Sequence, residues 1–276
     1  MSGHEILTVT PLTPRIGAEV SGVALGDDLD DGQEAAIRAA LLAHQVIFFR
    51  DQEMSVERHK DLGRCFGELD IHPGIPGPEG HPEILHVYAD AETTRIAGED
   101  WHSDVSCELE PPMGSILHMH EVPPSGGDTL FASMTAAHDA LSEPMRNFLG
   151  GLTARHSGEY AYRGRYVGRG IDDTGAVYPE ADHPVVRTHP ETGAKGLFVN
   201  RIFTRRINGV SAAESAALLD FLFEHVARPE FQVRFRWQAG SVAFWDNRCV
   251  QHMAMWDYFP QVRSGYRVTI KGDRPV

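Results

Sequence analysis

Short apolar or alternating runs recur along this chain, set apart by turn residues and never in the regular strand-helix-strand rhythm that a parallel sheet demands. Val46-Ile-Phe-Phe49 reads as a buried strand and Ile84 to Tyr88 has strand character. Gly114 to Val122 and Thr129 to Ala132 read as strands parted by the turn-forming Pro123-Pro-Ser-Gly-Gly127. From Phe231 to Trp237, apolar Val233, Phe235 and Trp237 alternate with Gln232, Arg234 and Arg236, the signature of a half-buried strand. Ser241 to Trp245 and Tyr266 to Lys271 follow. Helices are inserted between these runs: Asp30 to Gln45, a second from the N-cap Ser55 toward Cys65, Thr135 to Leu149 with an interruption at Pro144, and a capping-box helix from Ser211 to Val226. The pattern predicts a mainly β fold with flanking helices, an antiparallel sandwich or barrel.

At 276 residues and 42% hydrophobic content the chain can bury one substantial core, and ~250 residues is ordinary for one all-β domain. A single domain over 1–276 is expected. Lys+Arg 25 against Asp+Glu 39 gives a net charge of −14, which argues against a nucleic-acid groove or an anionic membrane surface as partner. No amino-terminal stretch joins a basic region to an apolar run, and none reaches the ~18 apolar residues of a membrane span. Cys65, Cys107 and Cys249 are too few and scattered for a disulfide framework, so they read as small buried hydrophobes in a reducing, cytoplasmic setting.

The chemistry concentrates in Trp101-His-Ser-Asp104 and, far downstream, Trp245-Asp-Asn-Arg248 followed by His252. Two imidazoles and one carboxylate form the facial triad that holds ferrous iron with positions left open. A His-x-Asp pair on a strand would direct both side chains to one face. Alone the triplet is weak in a chain with 15 histidines and 39 acidic residues. The third ligand must come from elsewhere: His252 is the candidate, against His118, His120, His183 and His189. His118 and His120 occupy alternate positions and could form a second metal pair, whereas His183 and His189 suit hydrogen-bonded braces at strand ends. Downstream lie Arg263 and Arg267, whose planar forks match carboxylates.

These stretches, with Leu12 to Gly22, His44 to Gln52, Phe66-Gly67, Gly126-Gly-Asp-Thr129, His183 to Pro190 and Phe198-Val-Asn200, resemble the taurine and 2,4-dichlorophenoxyacetate dioxygenase family of iron(II)/2-oxoglutarate enzymes over nearly the whole chain. The resemblance implies a double-stranded β-helix, a cupin-like jelly roll. It implies His102, Asp104 and His252 as iron ligands, and Thr129 and Arg263 on the distal carboxylate of 2-oxoglutarate. It further implies oxidation of a small, anionic organic substrate by dioxygen, with release of succinate and carbon dioxide, and a homo-oligomeric assembly.

Substrate contacts implied in the same way are His72, Ile75, Gly98, Phe203 and Arg267. Arg267 matches an arginine that grips the sulfonate in the taurine enzyme; the alternative for Arg267 is a structural ion-pair partner. Ile75 and Gly98 depart from that enzyme, which has a tyrosine and an asparagine there. The loss of both polar groups points to a larger or more apolar substrate among sulfonates, sulfate esters and aryl or alkyl carboxylates. Asp104 argues against halogenation, which needs a small residue in place of the metal carboxylate, so hydroxylation is expected. Cleavage follows if the hydroxylated carbon carries an ether or sulfate oxygen. Two readings compete: a zinc hydrolase with the same His2Asp set, against which Thr129 and Arg263 argue, and a non-catalytic small-molecule binder on a jelly-roll scaffold, against which the intact triad argues. The segment 155–178, with Arg155, His156, Arg163, Arg165 and Arg169 among Tyr160, Tyr162 and Tyr166, reads as an active-site lid.

Overall fold

A computed structural model describes residues 7–72, 75, 77–164 and 172–276. The amino-terminal part gives strands β1 (Thr8–Pro11) and β2 (Ala18–Ser21), helix α1 (Asp31–His44), β3 (Val46–Phe49), α2 (Val56–Arg64) and β4 (Ile84–Ala89). The middle gives β5 (Gly114–Glu121), β6 (Thr129–Ser133), α3 (Met134–Asp139), α4 (Glu143–Leu149), β7 (Thr153–Ser157), α5 (Glu159–Tyr162), β8 (Glu180–Pro184), β9 (Val186–Thr188), β10 (Lys195–Leu197) and β11 (Thr204–Ile207). The rest is α6 (Ala212–Val226), β12 (Gln232–Phe235), β13 (Val242–Asp246), β14 (Val250–Ala254) and β15 (Arg263–Ile270).

A seven-stranded sheet in the order β1-β2-β3-β13-β5-β15-β4 faces a three-stranded sheet in the order β12-β6-β14. The architecture is a double-stranded β-helix, or jelly roll, with flanking helices. Phe48, Leu117, Ala243 and Trp245 from the large sheet meet Phe131, Val233 and Phe235 from the small one, and Phe48 stacks on Phe235 with ring centroids 3.9 Å apart. That apolar layer fixes the sheet separation, and the site opens beside it. Residues 134–231, inserted between β6 and β12, carry α3 to α6 and two small sheets, β11-β7-β8 and β10-β9, over a core of their own.

Local signals explain the helix ends. Asp30 and Ser211 each close a capping box, with Gln33 and Glu214 reaching back, and Ser55 caps α2. Pro144 does not interrupt one long helix. It sits in the first turn of α4, where a missing N–H costs nothing, and the break falls before it at Ala140 to Ser142. The alternating run at 231–237 is shorter as a strand than expected, because a 3-10 turn takes Pro229–Phe231. No helix among the described residues is long and apolar enough to cross a membrane.

Candidate active site

His102 and His252 meet through their backbones. Each N–H donates to the other's carbonyl, at 3.1 and 2.8 Å, in an isolated antiparallel bridge that continues the edge of β14. The two imidazoles are thereby brought to ring centroids 4.2 Å apart. Asp104 Oδ1 lies 3.7 Å from His102 Nε2 and 3.8 Å from His252 Nε2. One ligand atom from each residue falls within 4.8 Å of the others, so the trio can touch a common ion. The expectation of a strand through His102-Ser-Asp104 needs correction: only His102 is bridged, and the chain then turns. Val105 takes φ +44°, a left-handed conformation that a β-branched residue adopts only under constraint from its surroundings.

The donor set suits a metal. His102 Nδ1 lies 2.8 Å from the Asp100 carbonyl, which fixes the proton there and leaves the Nε2 lone pair facing Asp104. His252 has no such acceptor among the described residues; its ring is held instead by Trp245, at 4.8 Å, and Phe131, at 6.0 Å. Burial keeps both imidazoles neutral, His252 most strongly, and a neutral imidazole is the form that binds metals. Burial alone would push the Asp104 carboxyl up. Arg267, His252, His102 and the Ser115 hydroxyl together hold it well below the ordinary range.

An open cleft of about 1100 Å³, counted out to its mouth, surrounds this trio. Arg263 and Arg267, four residues apart on β15, both line it, as does Thr129 at the start of β6. Arg263 is 4% exposed, its Nε donates to the Gly127 carbonyl at 3.2 Å, and it has no carboxylate partner among the described residues. Burial lowers its pKa, as expected for a cation without a counter-charge. Thr129 Oγ1 accepts from Trp237 Nε1 at 2.9 Å, so the hydroxyl hydrogen remains free to point into the cleft. Arg267 differs: its Nη1 is 2.7 Å from Asp104 Oδ1.

His72, Ile75, Gly98 and Phe203 line the same cleft. Tyr162, which sequence reasoning placed in the lid segment but gave no contact, stands edge-on to His72 at 5.3 Å. Burial brings the His72 pKa down to about 3. Val105, Ile96, Leu117 and Ile202 make most of the remaining wall apolar. Asp104 is the only carboxylate lining the cleft among the described residues.

The competing histidines lie elsewhere. His118 Nε2 faces the Gln52 carbonyl on the other side of β5, and no metal-sized group forms around it and His120 among the described residues. His183 and His189 brace turns, at 2.8 Å from the Glu108 carbonyl and 3.0 Å from Asp246 Oδ2. His189, Asp246 and Cys249 do cluster, but His189 Nδ1 accepts two backbone N–H groups and Arg248 takes both Asp246 oxygens, so the lone pairs are spent. Cys107 and Cys249 are buried, and burial pushes the Cys107 thiol up to about 12. Of the segment 155–178, Arg155 and His156 belong to β7, with His156 fully buried and Arg155 paired to Asp182. Those two are built into a sheet. Arg165, Tyr166 and Arg169 lie outside the described residues.

The family model for the taurine catabolism dioxygenase TauD, TfdA family matches residues 8–269. The chain belongs to the TauD/TfdA family. An alpha-ketoglutarate-dependent sulfate ester dioxygenase of Pseudomonas putida is 41% identical, with 98% of this chain and 91% of that relative covered. An alkylsulfatase of Acinetobacter baylyi is 38% identical over 97% of this chain and 86% of its own length. A solved putative alpha-ketoglutarate-dependent taurine dioxygenase from Burkholderia xenovorans superposes with a TM-score of 0.85 at 43% identity, covering 98% of this chain and 94% of that one. As a TauD/TfdA member the protein is a 2-oxoglutarate-dependent dioxygenase using Fe(II), 2-oxoglutarate and O2.

Proposed function

We propose that His102, Asp104 and His252 hold the ferrous ion, that Thr129 and Arg263 hold the far carboxylate of 2-oxoglutarate, and that Arg267 and His72 receive the anionic head of a sulfate ester or sulfonate with an apolar chain. The observation that carries this reading is the buried Arg263 guanidinium, without a carboxylate partner among the described residues, facing the same cleft as the His102/Asp104/His252 cluster. A cation so placed calls for an anionic ligand. A zinc hydrolase has no use for it. The head-group assignment rests on Arg267, and the class on the sulfate ester and alkyl sulfate chemistry named for the two relatives above. Ile75, Ile96, Val105 and Phe203 give the chain an apolar bed, while among the described residues no carboxylate other than Asp104 lines the cleft to receive the ammonium of an amino-sulfonate such as taurine.

Iron, 2-oxoglutarate and dioxygen supply the oxidising chemistry, and the residues supply aim and shelter. Arg267 anchors the anion beside Asp104, which puts the carbon next to the head group nearest the ligand cluster. The apolar walls keep water from that carbon. When a hydroxyl is placed on the carbon bearing the sulfate oxygen, the adduct loses its O–H proton, the C–O bond to sulfate breaks, and aldehyde and sulfate leave. With a sulfonate the corresponding products are aldehyde and sulfite. A cytoplasmic, homo-oligomeric enzyme completes the reading, supported by cysteine usage and the family resemblance. The test measures succinate formed with Fe(II), 2-oxoglutarate and oxygen across medium-chain alkyl sulfates, alkyl sulfonates, phenoxy carboxylates and taurine. Alkyl sulfates or sulfonates should lead and taurine should trail, with Asp104→Ala inactive. Turnover without oxygen or 2-oxoglutarate would overturn the assignment.

A further inference from the structure

Asp104 is held by a chain of side chains that begins on another strand. Asn247, buried in the turn after β13, uses its amide in three directions. Its Oδ1 accepts the Asp104 backbone N–H at 3.3 Å and Trp245 Nε1–H at 2.9 Å, and its Nδ2 donates to Ser115 Oγ at 3.2 Å. Ser115 Oγ in turn donates to Asp104 Oδ2 at 2.8 Å. The Ser103 hydroxyl donates to the Val250 carbonyl at 2.7 Å and lies 3.2 Å from the Asn247 carbonyl. Ser115 is fully buried on β5, directly opposite Trp245 in the β5–β13 ladder, so its hydroxyl cannot drift.

The polarity of this chain is fixed at each link. The amide nitrogen of Asn247 can only donate, so Ser115 must accept there, and its single hydrogen is left for Asp104 Oδ2. Oδ2 is thereby turned toward Ser115, while Oδ1, which also accepts from Arg267 Nη1 at 2.7 Å, is the oxygen turned toward both Nε2 atoms. The same Asn247 oxygen fixes Trp245, whose indole lies against the His252 ring, which has no hydrogen-bond acceptor among the described residues. One amide thus serves two of the three proposed ligands, and it also ties down the backbone just before the left-handed Val105.

We propose that Asn247 and Ser115 are positioning residues that make Asp104 present one oxygen, Oδ1, to the metal and keep the second oxygen out of its coordination sphere. A carboxylate supplying one oxygen would leave the other positions on the bound metal open for co-substrate and dioxygen. The inference rests on the ligand set of the proposed function. Partners behind ligating groups commonly change metal affinity by roughly 10–100-fold when removed.

The test is metal binding by the full-length, metal-free protein, followed by the visible absorption of Co(II) without 2-oxoglutarate, with thermal unfolding of the metal-free forms alongside. Ser115→Ala should weaken Co(II) binding by roughly tenfold or more, alter the cobalt band shape, and leave metal-free unfolding within a few degrees of wild type. Ser115→Thr, which keeps the hydroxyl, should restore affinity and band shape. Asn247→Ala should behave as Ser115→Ala does; if it fails to fold, the two Ser115 variants decide. Wild-type affinity and an unchanged band in Ser115→Ala overturn the proposal, as does equal loss in Ser115→Thr. Failure of the wild-type protein to bind Co(II) at all sinks the ligand assignment itself, which is a separate outcome.

Discussion

Arg267 Nη1 and Asp104 Oδ1 form a buried ion pair 2.7 Å long, so one arginine neutralises the very oxygen that faces both histidines. Removing a partner from such a pair leaves a charge in a low-dielectric site, at a cost on the order of 3 kcal/mol. Arg267→Leu should therefore lower the unfolding temperature of the metal-free protein by several degrees. A divalent ion compensates Asp104 in the same place, so added Co(II) should raise the unfolding temperature more in the variant than in wild type. Equal metal-induced shifts in differential scanning calorimetry would contradict this. The KM for an anionic substrate should also rise at least tenfold, since a charge-assisted bond is lost.

Thr129 and Arg263 make separable contributions to co-substrate binding. Thr129→Val removes one hydroxyl donor and strands the buried indole N–H of Trp237, whose acceptor is Thr129 Oγ1. Arg263→Lys keeps the charge but replaces a planar fork with a point donor. A hydrogen bond to a charged group is worth roughly 1.5–3 kcal/mol, so the KM for 2-oxoglutarate should rise by about tenfold or more in each variant. Iron affinity measured without 2-oxoglutarate should stay near wild type. A fall in iron affinity matching the KM change would place these residues on the metal instead.

Acid stability follows from imidazoles buried as neutral groups. Burial brings His59 and His156 from the ordinary 6.5 down to about 3, with neighbouring histidines adding to the shift, and His118 to about 4. With folded values below the unfolded one, the unfolded chain takes up protons first. No penalty exists above pH 6.5, and stability is lost progressively as pH falls from 6.5 toward 3. Urea unfolding should show this decline, and His59→Gln should flatten it while costing stability at pH 8, because the imidazole's bond to the Ile116 carbonyl is disturbed. A slope unchanged by the substitution would remove His59 as a cause.

Much of the scaffold was legible because its signals are local. Capping residues at Asp30, Ser55 and Ser211 and the period-two run at 232–235 mark their elements within a few positions. The short strands β7 to β11 and β14 carried no usable period, since they are too short or packed on both faces, as Val250 to His252 are. The ligand trio was legible as residue types and spacing, but the reason it assembles was not. His102 reaches His252 by a two-residue bridge rather than along a strand, and Asp104 is aimed by a turn through a strained Val105. Asn247 and Ser115 were invisible for a different cause. Asn247 stood inside a noted motif, yet a buried amide announces no chemistry until its three partners, 132 to 143 residues away in two cases, are in place.

Gly98 offers the sharpest test of how tightly the site is packed. It takes φ +77°, its carbonyl accepts the Ala254 N–H at 2.8 Å, and a Cβ built there would lie 2.9 Å from His102 Cε1. Two penalties therefore fall on Gly98→Ala: a left-handed conformation costing roughly 1 kcal/mol for an L side chain, and a contact too short to survive. The backbone is pinned by the Ala254 bond, so the imidazole has to move. His102 is itself tethered through Nδ1 to Asp100, and any tilt swings Nε2 away from Asp104. Gly98→Ala should thus weaken Co(II) binding several-fold while Ala97→Gly, one residue earlier, leaves it unchanged. Retention of full metal affinity in Gly98→Ala would mean that His102 has more freedom than its tether and neighbours indicate.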